Sequence, residues 1–171
     1  MTQSAPGSKR PLEEQVLELL EQNARMPSEK IATLLGVEAA SVEVAVQKLE
    51  NDKVILGYRA VTDPDKTTGD SVTCMIEVRV SPQRGVGFDR IAERIYRYPE
   101  VKSLYLMSGS YDLLVVIEGR TIQDISYFVF EKLATLEHIQ STTTHFMLKK
   151  YKDNGITIGQ EEKSERLPVA P

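Results

Sequence analysis

The chain holds a single cysteine, two histidines and no tryptophan among its 171 residues. One thiol, Cys74, excludes a disulfide framework and a thiolate zinc site, and it suits a reducing cytoplasm. His138 and His145 alone leave few ligands for a metal or for imidazole catalysis, so neither a cofactor nor a catalytic constellation is expected. No apolar run nears the ~18 residues needed to cross a bilayer. Met1 to Arg10 lacks the hydrophobic core of a secretion signal. A cytoplasmic protein with no membrane partner is expected. Excess positive charge is missing too, since 21 Lys and Arg face 25 Asp and Glu, for a net charge of −4. That balance argues against indiscriminate nucleic-acid binding.

What remains is 41% hydrophobic, enough for one sizeable core or for two small domains. Residues 1–10 read as a flexible polar lead and 11–61 as a helical domain. Residues 62–70 form a linker of turn formers, 71–151 a second domain, and 152–171 a charged polar tail. In the first domain Pro11 suits a helix start, followed by Leu12, Val16, Leu19 and Leu20 at helical spacing. Ser28 is the expected cap of a short second helix with Ile31, Ala32 and Leu35 inward. Gly36 supplies the left-handed residue that ends it. Val42, Val46 and Leu49 mark a third helix, and Val54 to Tyr58 reads as a strand.

The second domain changes rhythm. Val72, Cys74, Ile76, Val78 and Val80 alternate with Thr73, Met75, Glu77 and Arg79, as in a half-buried strand. Phe88, Ile91, Ala92 and Ile95 form a helical stripe. Strands follow at Val101 to Met107 and Tyr111 to Glu118, then a second stripe at Ile122, Ile125, Val129 and Leu133. Ser141 to Lys150 is a last strand. The order β-α-β-β-α-β is ferredoxin-like, an antiparallel sheet with both helices on one face. The expected class is therefore α+β, a winged helix-turn-helix domain followed by a ferredoxin-like domain. Leu113 to Ile117 is apolar on both faces, and the helices cover only one. A second copy of the sheet is the natural cover for the other, so a homodimer is expected.

Two places carry candidate chemistry. Ala32 and Gly36 stand where the helices of a helix-turn-helix cross and turn. The third helix then offers Ala40, Ser41, Glu43, Val44, Gln47 and Lys48 to a DNA duplex. Gln47 suits adenine, Ala40 and Val44 suit thymine methyls, and Lys48 suits phosphate. The same motif also serves simply to pack two helices. Between Leu12 and Tyr58 acids outnumber Arg25, Lys30, Lys48 and Lys53, a poor footprint for DNA. The turn Met107-Ser108-Gly109-Ser110-Tyr111-Asp112 joins the two central strands. Its backbone N–H groups suit an anion nest, with Asp112 opposite an ammonium group, so that it holds both ends of a free amino acid. Thr142 and Thr144 of the last strand add hydroxyls. The plain alternative is a tight hairpin with a solvated Asp, and threonines present for β-propensity. His145 reads as a sheet-face residue, His138 as exposed and Cys74 as a small packed hydrophobe. Gly85-Val86-Gly87 lacks the following lysine of a phosphate loop and reads as a turn.

Taken together, Leu34-Leu35-Gly36-Val37, Lys48-Leu49-Glu50 and Val54-Ile55-Leu56-Gly57-Tyr58-Arg59-Ala60 resemble the DNA-binding half of the Lrp/AsnC (feast/famine) regulators. Tyr105-Leu106-Met107-Ser108-Gly109-Ser110-Tyr111-Asp112-Leu113 resembles that family's effector loop, and Ser141-Thr142-Thr143-Thr144 fits the same domain. The resemblance runs in order from about Leu12 to Tyr151. It implies a transcription regulator that binds double-stranded DNA as a dimer, assembles to tetramers or octamers, and takes a free amino acid or related metabolite between dimers. Recognition helices of the family usually carry several arginines, and Ala40 to Lys48 carries none. Two alternatives share this architecture. A siroheme-decarboxylase-like enzyme would need histidine or arginine where the turn offers serines and a carboxylate. A sensor subunit would keep the amino-acid site and no longer touch DNA.

Overall fold

Two units divide between Ala60 and Val61, and each is held by its own apolar core. The computed structural model describes residues 10–67, 71–81 and 87–159. The lead through residue 9, Gly85-Val86 and the chain from residue 160 lie outside the described residues.

The first unit is three helices: α1 (Leu12–Gln22), α2 (Ser28–Leu35) and α3 (Ala39–Asn51). Their inward stripes meet at Val16, Leu20, Ile31, Ala32, Val42 and Leu49. Burying each of the larger side chains is worth roughly 1.5–3 kcal/mol. Pro11 stands just before α1, and Glu13 and Glu14 lie in its first turn, where the positive end of the helix favours acids. Ser28 is not the cap of α2. Pro27, with φ of −69° and ψ of 149°, takes that place, and Ser28 is already helical. Gly36 closes α2 with φ of 68°, a conformation that costs a residue with a Cβ but not glycine.

The expected strand from Val54 to Tyr58 is absent. The N–H groups of Val54 and Ile55 both donate to the Leu49 carbonyl, which ties the segment to the end of α3. Its β-branched composition favours a strand, but a strand needs a partner edge, and none exists among the described residues of this unit.

The second unit is an antiparallel sheet of β1 (Val72–Val80), β2 (Val101–Leu106), β3 (Leu113–Gly119) and β4 (Ile139–Phe146), in the order β2-β3-β1-β4. α4 (Asp89–Tyr96) and α5 (Ile122–Tyr127) share one core with the inward residues of the sheet. α5 begins in a capping box between Thr121 and Asp124 and runs on as a wider π-type turn at Phe128–Leu133. Cys74, Ile76, Val78 and Val80 are buried under the helices, as are Leu113, Val115 and Ile117. Leu114 and Val116 point to the other face, where register sets Val116 beside Met75 and Leu114 beside Tyr105. An apolar strip thus crosses the face that the helices leave open.

Four expectations change. β2 is an edge strand, so the Met107–Asp112 turn joins an edge strand to a central one. β4 ends at Phe146, opposite Cys74 near the start of β1, and leaves Leu148 exposed beyond the ladder. His138 is half-buried at φ of 76°, and its carbonyl accepts the Ser81 N–H at 2.8 Å. The tail begins as a hairpin, β5 (Lys152–Asp153) paired with β6 (Ile156–Thr157). Asn154 and Gly155 turn it with φ of 44° and 84°, the geometry of a type I′ turn.

Candidate functional site

α3 turns Val42, Ala45 and Leu49 inward with Ala39 and Val46 packed beside them, so helical geometry leaves the opposite face outward. Ala40, Ser41, Glu43, Val44, Gln47 and Lys48 are all exposed, with Val44 65% exposed. Lys48 is not free. Its Nζ lies 2.7 Å from Glu13 Oε1 on α1, a hydrogen bond that raises the Lys48 pKa and lowers that of Glu13. Tyr58 donates its hydroxyl to Glu50 Oε1 at 2.9 Å, and burial together with this acid raises its pKa. The outward face of α3 is therefore short, polar and weakly charged, with an apolar side chain at its middle. Leu34 and Val37 extend it as exposed apolar residues around the turn. Both enter the sequence reading only within the stretch Leu34-Leu35-Gly36-Val37 that carries the resemblance, although Leu34 falls off the inward stripe of Ile31, Ala32 and Leu35.

In the second unit the Met107–Asp112 turn stands at one end of the sheet. Met107 N–H donates to the Asp112 carbonyl at 2.8 Å, and Asp112 N–H donates to the Val78 carbonyl at 3.0 Å. The Asp112 carboxylate accepts the Val80 N–H through Oδ2 at 2.8 Å. Asp112 is half-buried, not solvated. Ser108, Gly109 and Ser110 are exposed. Gly109 is not left-handed, and a Cβ there would meet nothing within 4 Å, so neither the turn nor packing requires glycine. The alternation of right- and left-handed residues that defines a nest is not formed.

Thr142 and Thr144 pair with Val78 and Ile76, whose other edges pair with Leu113 and Val115. One full strand separates them from β3, roughly 10 Å at the usual interstrand spacing. The structure does not bring these threonines against the turn within one chain. A cavity of about 360 Å³ does reach the flanks of the turn, lined by Leu106, Leu113, Phe88, Ala92, Tyr96 and the charged Asp89 and Lys102.

Other chemistry is limited. His145 Nε2 lies 3.2 Å from Glu77 Oε1 on the open face of the sheet. Burial pushes the Cys74 thiol up to about 11. At the opposite end of β3, Lys132 pairs with Glu100 and lies over the rings of Tyr98 and Phe128 at 5.4 and 5.8 Å. Burial is the largest single influence and would raise the Glu100 carboxyl, but the Lys132 hydrogen bond, a backbone hydrogen bond and the Lys132 charge together hold the pKa below the ordinary value. Nothing in the sequence pattern marked that pair. Among the described residues no cluster of three His, Cys, Asp or Glu is placed to hold a metal. None of their helices is long and apolar enough to cross a membrane.

Against this geometry, residues 9–55 match the family model for a winged helix-turn-helix DNA-binding domain, and residues 73–157 match the Lrp/AsnC ligand binding domain. The chain is 49% identical to the HTH-type transcriptional regulator YugG of Bacillus subtilis, over 93% of this chain and 96% of that one. It is 27% identical to the proline dehydrogenase transcriptional activator of Rhodobacter capsulatus, over 74% and 82% of the two chains. The solved structure of E. coli AsnC superposes with a TM-score of 0.63 at 25% identity, over 81% and 91%.

Proposed function

The chain belongs to the Lrp/AsnC family of DNA-binding transcriptional regulators, and from that premise we propose how its two units divide the work. The first unit reads a duplex by inserting α3 into the major groove. Gln47 meets a base edge, Ala40 and Val44 meet methyl groups, and Ser41 meets phosphate or base. Glu43 beside the phosphate backbone weakens binding to every sequence alike. The observation that carries this reading is the single outward face holding these five residues together with Lys48. The second unit senses a free amino acid or a close metabolite at Met107–Asp112. A relative named as the activator of proline dehydrogenase, a gene of amino-acid breakdown, supports that class. Two copies join through the open sheet face around Leu114 and Val116, and further copies bring Thr142 and Thr144 of one chain toward the turn of another.

The test is fluorescence anisotropy with labelled DNA from upstream of the protein's own gene, with each of the twenty amino acids added in turn. Sequence-dependent binding that one amino acid shifts is the expected result. Binding that Gln47→Ala leaves with unchanged base preference would move the reading surface off α3. Complete absence of DNA binding would leave a sensor subunit.

A further inference from the structure

Asp112 is tied on three sides. Its carbonyl holds the Met107 N–H across the turn, its own N–H holds the Val78 carbonyl, and its carboxylate holds the Val80 N–H. The carboxylate acts where β1 runs out of backbone partners on its β3 side. Pairing of β1 with β3 ends at Val78 opposite Leu113, and pairing with β4 shifts register between Arg79 and Val80. A half-buried strand N–H left there without an acceptor would be costly. The side chain of Asp112 stands in for a strand carbonyl.

We infer that Asp112 is a positioning residue that clamps the turn onto β1, and that it serves the effector through that clamp and not as a counter-ion. This rests on the effector reading above. The only acid of the turn is thus already partnered by the protein's own backbone before any ligand arrives.

Two substitutions separate clamp from counter-ion. Asp112→Asn keeps an oxygen for the Val80 N–H and removes the charge, whereas Asp112→Ala removes both. Amide hydrogen exchange on the ligand-free protein should show Val80 protected in the wild type and in Asp112→Asn. In Asp112→Ala it should exchange about tenfold faster or more, the loss of one such bond. An unchanged Val80 in Asp112→Ala overturns the clamp. Calorimetry then takes whichever of the twenty amino acids binds best. Asp112→Asn should keep its affinity within about threefold and Asp112→Ala should lose about tenfold or more. Equal loss in both variants makes the charge itself the contact and overturns the proposal. If no amino acid binds the wild type, the effector reading fails, while the exchange result still decides the clamp.

Discussion

The outward face of α3 and the Met107–Asp112 turn are both exposed, yet they are built by opposite means. α3 gets its geometry from spacing within one helix, and its outward residues follow once Val42, Ala45 and Leu49 are buried. The turn gets its geometry from a hydrogen bond between residues 32 positions apart, Asp112 and Val80. On the helix a side chain's role follows from its own neighbours in sequence. On the turn it follows from which strand the fold happens to lay alongside. The same contrast holds for the two cores, one closed by three short helices and the other by long-range strand pairing, and it can be probed core by core.

Truncating a core should give the largest effect. Ile31 and Ile76 are equally buried, one in each unit. Ile→Ala in a tight core costs about 2–5 kcal/mol. In the small helical unit that is a large share of the total stability, so Ile31→Ala should unfold the first unit, abolish DNA binding and leave the β-sheet signal intact. Ile76→Ala should instead lower the melting of the sheet unit. Calorimetry with circular dichroism separates these outcomes. A single shared transition that shifts equally in both variants would erase the distinction between the units.

Next comes the open face of the sheet. Val116 lies half-buried beside Met75 in the apolar strip left uncovered by the helices. A partner sheet on that strip would enclose a charge placed there, at a cost of about 3 kcal/mol or more. Val116→Asp should therefore sediment as a monomer or a smaller assembly, with its circular dichroism unchanged. An unaltered assembly would put the interface elsewhere.

A smaller effect is expected where one unit holds a charge pair against aromatic rings. Lys132→Ala leaves Glu100 without its partner and should cost about 1 kcal/mol, the low end for a partly exposed charged hydrogen bond. The sign of the pH dependence follows from Glu100, whose pKa is depressed in the fold. The pair stabilises above the carboxyl's unfolded value, and that contribution is lost as pH falls through the folded one. The penalty of Lys132→Ala should thus be present at neutral pH and shrink toward about pH 3, as urea melts at the two pH values will read.

How far these features were legible in the sequence depends on the same local and long-range division. The alternation from Val72 to Val80 gave the inward residues of β1 directly, and Gly36 marked the end of α2. The six outward residues of α3 needed nothing beyond a period of 3.6. The role of Asp112 was hidden, because no local pattern says that Val80 will lack a backbone acceptor. The pairing of Glu100 with Lys132, also 32 positions apart, was hidden for the same reason. The segment Val54 to Tyr58 misled in the other direction, since strand-forming residues do not make a strand without an edge to join. Asn154-Gly155 was readable as a hairpin turn, but the charge around it suggested a tail.

The smallest expected effect bears on a side-chain hydrogen bond that reaches α3 from a residue 35 positions away. Lys48 is the only base on the outward face of that helix, and Glu13 of α1 holds it. A lysine already paired with an acid attracts phosphate less, because DNA must compete with the carboxylate for the same ammonium. Removing the lysine should therefore change DNA binding little, whereas removing the acid should improve it. Glu13→Gln is expected to tighten binding to specific and unrelated duplexes alike by a few-fold. It should also steepen the salt dependence by nearly one further counterion per module, as one phosphate contact is gained. Glu14→Gln removes the same charge from the same exposed helical turn without touching Lys48, and so controls for net charge. Equal gains from the two variants would mean that only the overall charge of the unit matters. A gain confined to Glu13→Gln would show that the contact between α1 and α3 sets how much of the recognition helix is available to DNA.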